Sequence, residues 1–218
     1  VSNWVEHCIF WHAFPLRFVG AEPRRLAPDQ PVQHRLPHLE AWLDYVIELG
    51  ASGLLLGPIF ESESHGYDTV DYLAIDRRLG DESDFVALAT AARSRGIRIV
   101  LDGVFNHVGR QFPAFQEALH EGPGSASGQL FRLYWKPGQD EPDYDHFEGH
   151  GGLVTLNHDE PAVADLVVDV MCHWLDRGAD GWRLDAAYAV AAEFWAKVLP
   201  RVRERHPDVY IVGEVIHG

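Results

Sequence analysis

The chain has 218 residues, 46% hydrophobic and 23% charged, which suits a folded protein with a sizeable core and excludes a disordered one. Its net charge of −15, with 18 scattered Lys and Arg, argues against nucleic acid or an anionic membrane as partner. Cys8 and Cys172 are too few for a disulfide framework, and no signal-like segment or membrane-length apolar run appears in these residues, so free thiols and a cytoplasmic location are expected.

Short apolar runs alternate with amphipathic stretches along the chain. Residues 8–10 read as a strand, 36–49 as a helix, 53–58 as a strand, 83–95 as a helix and 97–102 as a strand. After a long irregular stretch come a helix over 162–177, a strand over 179–184, a helix over 189–205 and a strand over 209–213. The strands are continuous apolar runs, as when helices cover one face and a packed interior the other, so a parallel α/β architecture is expected. Asp81 or Ser83 caps the helix that Gly96 ends, and Asp159 with Pro161 opens the next long one. The stripe Val163, Leu166, Val167, Val170, Met171, Trp174 and Leu175 is core packing.

Residues 109–152 break the alternation with Gly, Pro, Asp and aromatic residues, including the flexible turn from Gly122 to Gly128. Long stretches of this kind inside a folded domain are often functional, and this one reads as a lid subdomain inserted after the third strand. Three parts follow: 1–108 with strands 1 to 3, the lid over 109–152, and 153–218 with strands 4 and 5. A closed eight-strand barrel takes about 250 residues. The expected fold is therefore strands 1 to 5 of a (β/α)8 TIM barrel, with its C-terminal half on a continuation, or else an open sheet with exposed edges.

Reactive groups of such a barrel sit where strands end. Asp185 ends one expected strand and Glu214, 29 residues later, ends the next, while Asp102, Asn106 and His107 follow the third. Arg183 and Asp185 are two apart on a strand and share a face. The arginine is expected to keep Asp185 ionised, as a nucleophile needs, and the apolar neighbours Ile211, Val212, Val215 and Ile216 to raise the pKa of Glu214, as a proton donor needs. Taken alone, Arg-x-Asp reads as a structural salt bridge. Two differentiated carboxylates at successive strand ends are what a sugar-cleaving pair requires.

Asp102-Gly103-Val104-Phe105-Asn106-His107, Gly181-Trp182-Arg183-Leu184-Asp185 and Gly213-Glu214-Val215, in that order, resemble the first three sequence signatures of the alpha-amylase family of glycoside hydrolases. His65-Gly66-Tyr67-Asp68-Thr69-Val70-Asp71-Tyr72 resembles the family's segment after the second strand, and Leu156-Asn157 its short signature after the lid. The similarity covers nearly the whole chain. It implies a retaining mechanism on α-glucosidic bonds, with Asp185 as nucleophile, Glu214 as acid and then base, and the two carboxyl groups about 5 to 5.5 Å apart. It also implies that Arg183 orients Asp185, Asp102 braces Arg183, His107 hydrogen-bonds the bound glucose and Tyr67 stacks on it. Asp68, where members cutting inside starch chains often carry Trp, implies exo action on a terminal glucose. The substrate is then an α-glucoside or oligosaccharide, and the enzyme an α-glucosidase or a related transferase or isomerase.

Two departures bear on this resemblance. The family's His-Asp pair of the seventh strand, which supplies a transition-state-stabilising aspartate, is not among these residues, and His217-Gly218 is not that pair. Without a continuation the chain is expected to be inactive. Gly103 replaces an aliphatic residue and is expected to tune packing against the lid. No organic cofactor is expected. Some amylases hold calcium with residues like Asn106 and lid carboxylates, here Asp140, Asp143, Asp145 and Glu148, but the spacing is not that of a calcium loop and a solvated acidic loop is the better reading. His146, His150 and His158 lack the helix-face spacing of a zinc site. Two other classes remain beside the enzyme. One is a non-catalytic barrel relative, against which the presence of Arg183, Asp185 and Glu214 argues; the other is a half-barrel that only binds sugar.

Overall fold

The apolar runs become a five-stranded parallel sheet. In the computed structural model, which describes residues 3–216, a 3-10 turn (Asn3–His7) leads into β1 (Phe10–Ala13), α1 (Pro15–Phe18), α2 (Leu36–Glu40), α3 (Leu43–Glu48) and β2 (Gly53–Leu56). The antiparallel hairpin of β3 (Phe60–Ser62) and β4 (Thr69–Ile75) precedes α4 (Glu82–Ser94) and β5 (Arg98–Gly103). β6 (His107–Gly109), α5 (Pro113–Glu121), β7 (Leu133–Tyr134), β8 (Asp143–Tyr144) and β9 (Leu153–Thr155) follow. α6 (Pro161–Asp176), β10 (Gly181–Leu184), α7 (Ala192–Arg205) and β11 (Tyr210–Gly213) complete the order. The sheet runs β1-β2-β5-β10-β11 with every pair parallel. That is the order and direction of the first five units of a (β/α)8 barrel. His217 and Gly218 lie outside the described residues.

The sheet is curled, because rings from its two outermost strands touch at their amino ends. Phe10 of β1 stacks on Tyr210 of β11 at 5.8 Å with an interplanar angle of 16°, and Trp4 packs edge-on against both. Two glycines make room. A Cβ on Gly53 would lie 2.5 Å from the Phe10 ring, and one on Gly181 would overlap the Tyr210 carbonyl oxygen. Alternation of large and absent side chains is how a narrow barrel interior fills without strain. On the outer face, Trp174 of α6 is fully buried, stacks on Phe60 at 5.2 Å and donates its indole N–H to the Tyr72 carbonyl at 2.8 Å.

Several local expectations shift. The first strand begins two residues later than expected, at Phe10. The helix expected over 36–49 is two helices, because the Trp42 N–H bonds the Leu39 carbonyl in a tighter turn, while Leu36, Leu39, Leu43 and Val46 keep one buried stripe. Asp81, not Ser83, caps α4: its carboxylate accepts from the Ser83 and Asp84 amides and Asp84 reciprocates in a capping box. Asp159 does not cap α6; it pairs with Arg132 at 2.7 Å, and Pro161 sits in the first turn. Gly103 does not pack against the excursion. The space a Cβ would take there is filled by the Phe105 ring, with Trp182 at 3.1 Å.

The excursion leaves the barrel through an antiparallel ribbon in which His107, Val108 and Gly109 pair with Thr155, Val154 and Leu153. The boundary drawn at 108/109 therefore runs inside β6, and the one at 152/153 falls at the start of β9. Beyond the ribbon, Phe115 contacts Phe131 at 5.2 Å and Tyr144 at 5.1 Å, and Arg110 donates to the Tyr144 hydroxyl at 2.7 Å. Among the described residues, no helix is long and apolar enough to cross a membrane.

Candidate active site

Strand register builds the centre of the site. Asp102 in β5 lies directly beside Arg183 in β10, so period-two alternation turns both side chains to the same face. Asp185 follows β10 and Glu214 follows β11, and the sheet ladder continues past both ends: the Asp185 N–H donates to the Gly103 carbonyl at 3.0 Å and that of Glu214 to the Leu184 carbonyl at 2.9 Å. One guanidinium then bridges three carboxylates. Arg183 Nη1 donates to Asp102 Oδ1 (2.7 Å) and Oδ2 (2.9 Å) and to Asp185 Oδ1 (2.8 Å), and Nη2 lies 3.0 Å from Glu214 Oε1. Asp185 and Glu214 thus face each other across one arginine head.

Their environments differ in a way the sequence reading reversed. The Asp185 side chain is 10% exposed and that of Glu214 34%. Of the four apolar neighbours credited with burying Glu214, Ile211 and Val212 are half-buried, while Val215 and Ile216 are 57% and 61% exposed. Its carboxylate is instead hydrogen-bonded: Oε2 accepts from the Ala186 N–H at 2.9 Å. Burial falls on Asp185 and pushes its carboxyl up to about 6, more than Arg183 lowers it. Asp102 is raised by the same burial, with Arg183 opposing. Burial works against the Arg183 charge, but Asp102, Asp185 and Glu214 together outweigh it and hold the guanidinium firmly protonated.

A cleft of about 360 Å³ opens over this centre, lined by Tyr67, His107, Arg183, Asp185 and Glu214 together with residues of the excursion. The Tyr67 ring lies parallel to Phe14 at 6.2 Å, and its hydroxyl is 3.5 Å from Asp102 Oδ2. His107 is buried, with Nδ1 3.1 Å from the Asn106 amide nitrogen and Nε2 enclosed and without a hydrogen-bond partner among the described residues. The ring lines the cleft beneath Phe147, which stacks on it, and its enclosed Nε2 is an unsatisfied polar atom at the cleft wall. Burial lowers the His107 pKa to about 4, so the ring is neutral.

Asp68 is not brought into this cleft. It lines an adjoining recess of about 470 Å³, and its carboxylate closes a turn, accepting from Ser64 Oγ (2.5 Å) and from the His65 and Gly66 amides (3.2 Å each). The carboxylates suggested for calcium do not gather into one ligand set among the described residues. Asn106 is buried against His107, Asp143 is paired with Lys136, Asp145 lies 3.0 Å from the Tyr134 hydroxyl, and Glu148 accepts from the Tyr188 hydroxyl at 2.8 Å. The one gathering of potential metal ligands among the described residues, His34 with Asp81 and Asp84, belongs to the α4 cap.

The sequence reading missed Phe147 and Tyr188. Phe147 stacks on His107 at 4.8 Å and 20°, and Tyr188 ties the loop after β10 to the excursion through Glu148. The available signal was a lone aromatic in a Gly-rich stretch and another three residues after Asp185.

Comparison with known proteins agrees with this geometry. The family model described as "Alpha amylase, catalytic domain" matches residues 39–218. The chain is 35% identical over 231 residues to a cyclomaltodextrinase of Geobacillus thermopakistaniensis, covering 99% of this chain and 39% of that protein. It is 36% identical over 232 residues to neopullulanase 2 of Thermoactinomyces vulgaris, covering 99% and 40%. Among solved structures, the cyclic alpha-maltosyl-(1→6)-maltose hydrolase of Arthrobacter globiformis superposes with a TM-score of 0.87 at 35% identity, covering 98% of this chain and 52% of that one. The chain belongs to the alpha-amylase family of glycoside hydrolases. It spans about two fifths of the length of the curated relatives it matches.

Proposed function

We propose that this chain supplies the two reacting carboxylates of an α-glucan hydrolase that works with retention, in a polypeptide that includes the whole barrel. The observation that carries the proposal is the single Arg183 head bonded to Asp102, Asp185 and Glu214 at three consecutive parallel-strand ends. In this reading, Asp185 attacks the anomeric carbon as Glu214 protonates the leaving oxygen. Glu214 then removes a proton from the water that breaks the glycosyl–enzyme ester. Arg183 holds the Asp185 oxygen in line, Tyr67 stacks on the sugar ring, and neutral His107 meets a sugar hydroxyl once its enclosed Nε2 is uncovered. Relatives whose names describe hydrolysis of cyclic or maltose-based glucans support the substrate class. One relative of 35% identity named intracellular maltogenic amylase supports a cytoplasmic location.

Two measurements test the reaction on the complete polypeptide that carries these residues. Asp185→Asn and Glu214→Gln should each lower kcat by a factor of about a thousand or more on a maltodextrin. The first-formed product, followed by NMR, should be the α anomer; the β anomer would mean inversion. Exo action on a terminal glucose is the finer reading, supported by the position of Asp68 beside Tyr67. It requires Asp68 to leave its turn contacts for a sugar hydroxyl. Early release of glucose alone from maltopentaose supports it, and early release of maltose excludes it.

A further inference from the structure

A buried charge pair behind the site has no part in the chemistry above. Arg78 follows β4, and its side chain is 0% exposed beside Asp76 at 1%. Burying a guanidinium is costly unless its donors are met, and here all five are. Nε donates to Asp76 Oδ1 (2.8 Å), and Nη2 to Asp76 Oδ2 (2.6 Å) and Ser62 Oγ (2.8 Å). Nη1 donates to the carbonyls of Glu22 (3.0 Å) and Ser64 (2.6 Å). Asp76 also accepts from the Ser62 amide (3.2 Å) and hydroxyl (2.9 Å).

These bonds converge on the loop that carries Tyr67. Ser62 ends β3 and Ser64 opens the loop, so the pair grips it at two points. From Ser64 the path continues without a gap: its hydroxyl donates to Asp68, and Asp68 accepts from the His65 and Gly66 amides that immediately precede Tyr67. The Tyr67 ring at the end of this path is laid against Phe14 in the cleft wall.

We propose that Arg78 and Asp76 are positioning residues for sugar binding: their buried ion pair fixes the loop that presents the Tyr67 ring to the glucose. This rests on the reading of Tyr67 as the stacking ring. A buried ion pair contributes little net stability compared with apolar packing of the same volume. What a planar five-donor fork adds is a fixed geometry between separate backbone points, and a lysine cannot reproduce it.

A double-mutant cycle on the complete polypeptide, with p-nitrophenyl α-glucoside or maltotriose as substrate, tests the proposal. Arg78→Lys should raise KM about tenfold and leave kcat within about threefold. In a Tyr67→Ala background the same substitution should raise KM no further, because both changes remove one interaction. Additive KM changes overturn the proposal and leave the reading of Tyr67 standing. An unchanged KM for Tyr67→Ala alone overturns both. If Arg78→Lys does not fold, Ser62→Ala, which removes one hydroxyl from between Arg78 and Asp76, goes through the same cycle with an expected KM rise of about threefold.

Discussion

Ala186 donates its backbone N–H to Glu214 at 2.9 Å from a left-handed conformation, φ 45° and ψ 37°. An alanine resists that region because its Cβ crowds the backbone, yet the turn there lets the chain leave Asp185 and still aim an amide at the neighbouring strand's carboxylate. Strain of this kind gathers at functional sites. Among the described residues, the one other non-glycine at positive φ is Glu148, which lines the same cleft.

This strain gives a direct stability prediction. Ala186→Gly should stabilise the protein by about 0.5–1 kcal/mol and retain the amide bond to Glu214, whereas Ala186→Val should cost more than about 1 kcal/mol. Denaturant melts of the two variants check this. Equal midpoints would show that the turn is unstrained.

Asp185 gives a pH-dependent one. Its carboxyl is raised from the ordinary 3.8 to about 6, first by burial, with Arg183 opposing. The folded state therefore binds this proton more tightly than the unfolded chain. Stability falls as pH rises between those two values, and at pH 7 the ionised group carries the full penalty. Asp185→Asn should stabilise by roughly 1–3 kcal/mol at pH 7, and the gain should shrink toward zero near pH 4. Melts at the two pH values decide it; the same change at both would refute the raised carboxyl. In the wild type, the nucleophile reading also places the acid limb of kcat/KM near pH 6.

Gly103 supplies a packing test. A Cβ there would overlap the Phe105 ring and press on Trp182, both buried. Gly103→Ala should cost about 1–3 kcal/mol by overpacking. If that cost disappears in a Phe105→Leu background, Phe105 is the ring that fills the space.

The sequence made the carboxylate constellation legible because strand ends and two-residue spacing are local: Arg183 and Asp185 share a face by alternation, and the apolar runs mark where β5, β10 and β11 stop. Burial was not legible. Glu214 has apolar neighbours in the chain, but Val215 and Ile216 face outward, while Asp185 is enclosed by residues distant in sequence. Asp68 looked free for substrate because its hydrogen-bonding partners are backbone amides of a turn that letters alone do not fold. Nothing in the neighbouring letters marks Arg78, because its acceptors come from residues 22, 62, 64 and 76.

The ring contact between Phe10 and Tyr210 joins positions near the two ends of the sequence. Bringing distant segments together is slow, and folds dominated by such pairings form late. β11 therefore delivers two things in one event: the ring that packs on Phe10, and the carboxylate that faces Asp185 across Arg183. A folding intermediate lacking β11 would hold Asp102, Arg183 and Asp185 in place yet be unable to protonate a leaving group, so on refolding of the complete polypeptide recovery of activity should lag behind formation of the first four strands.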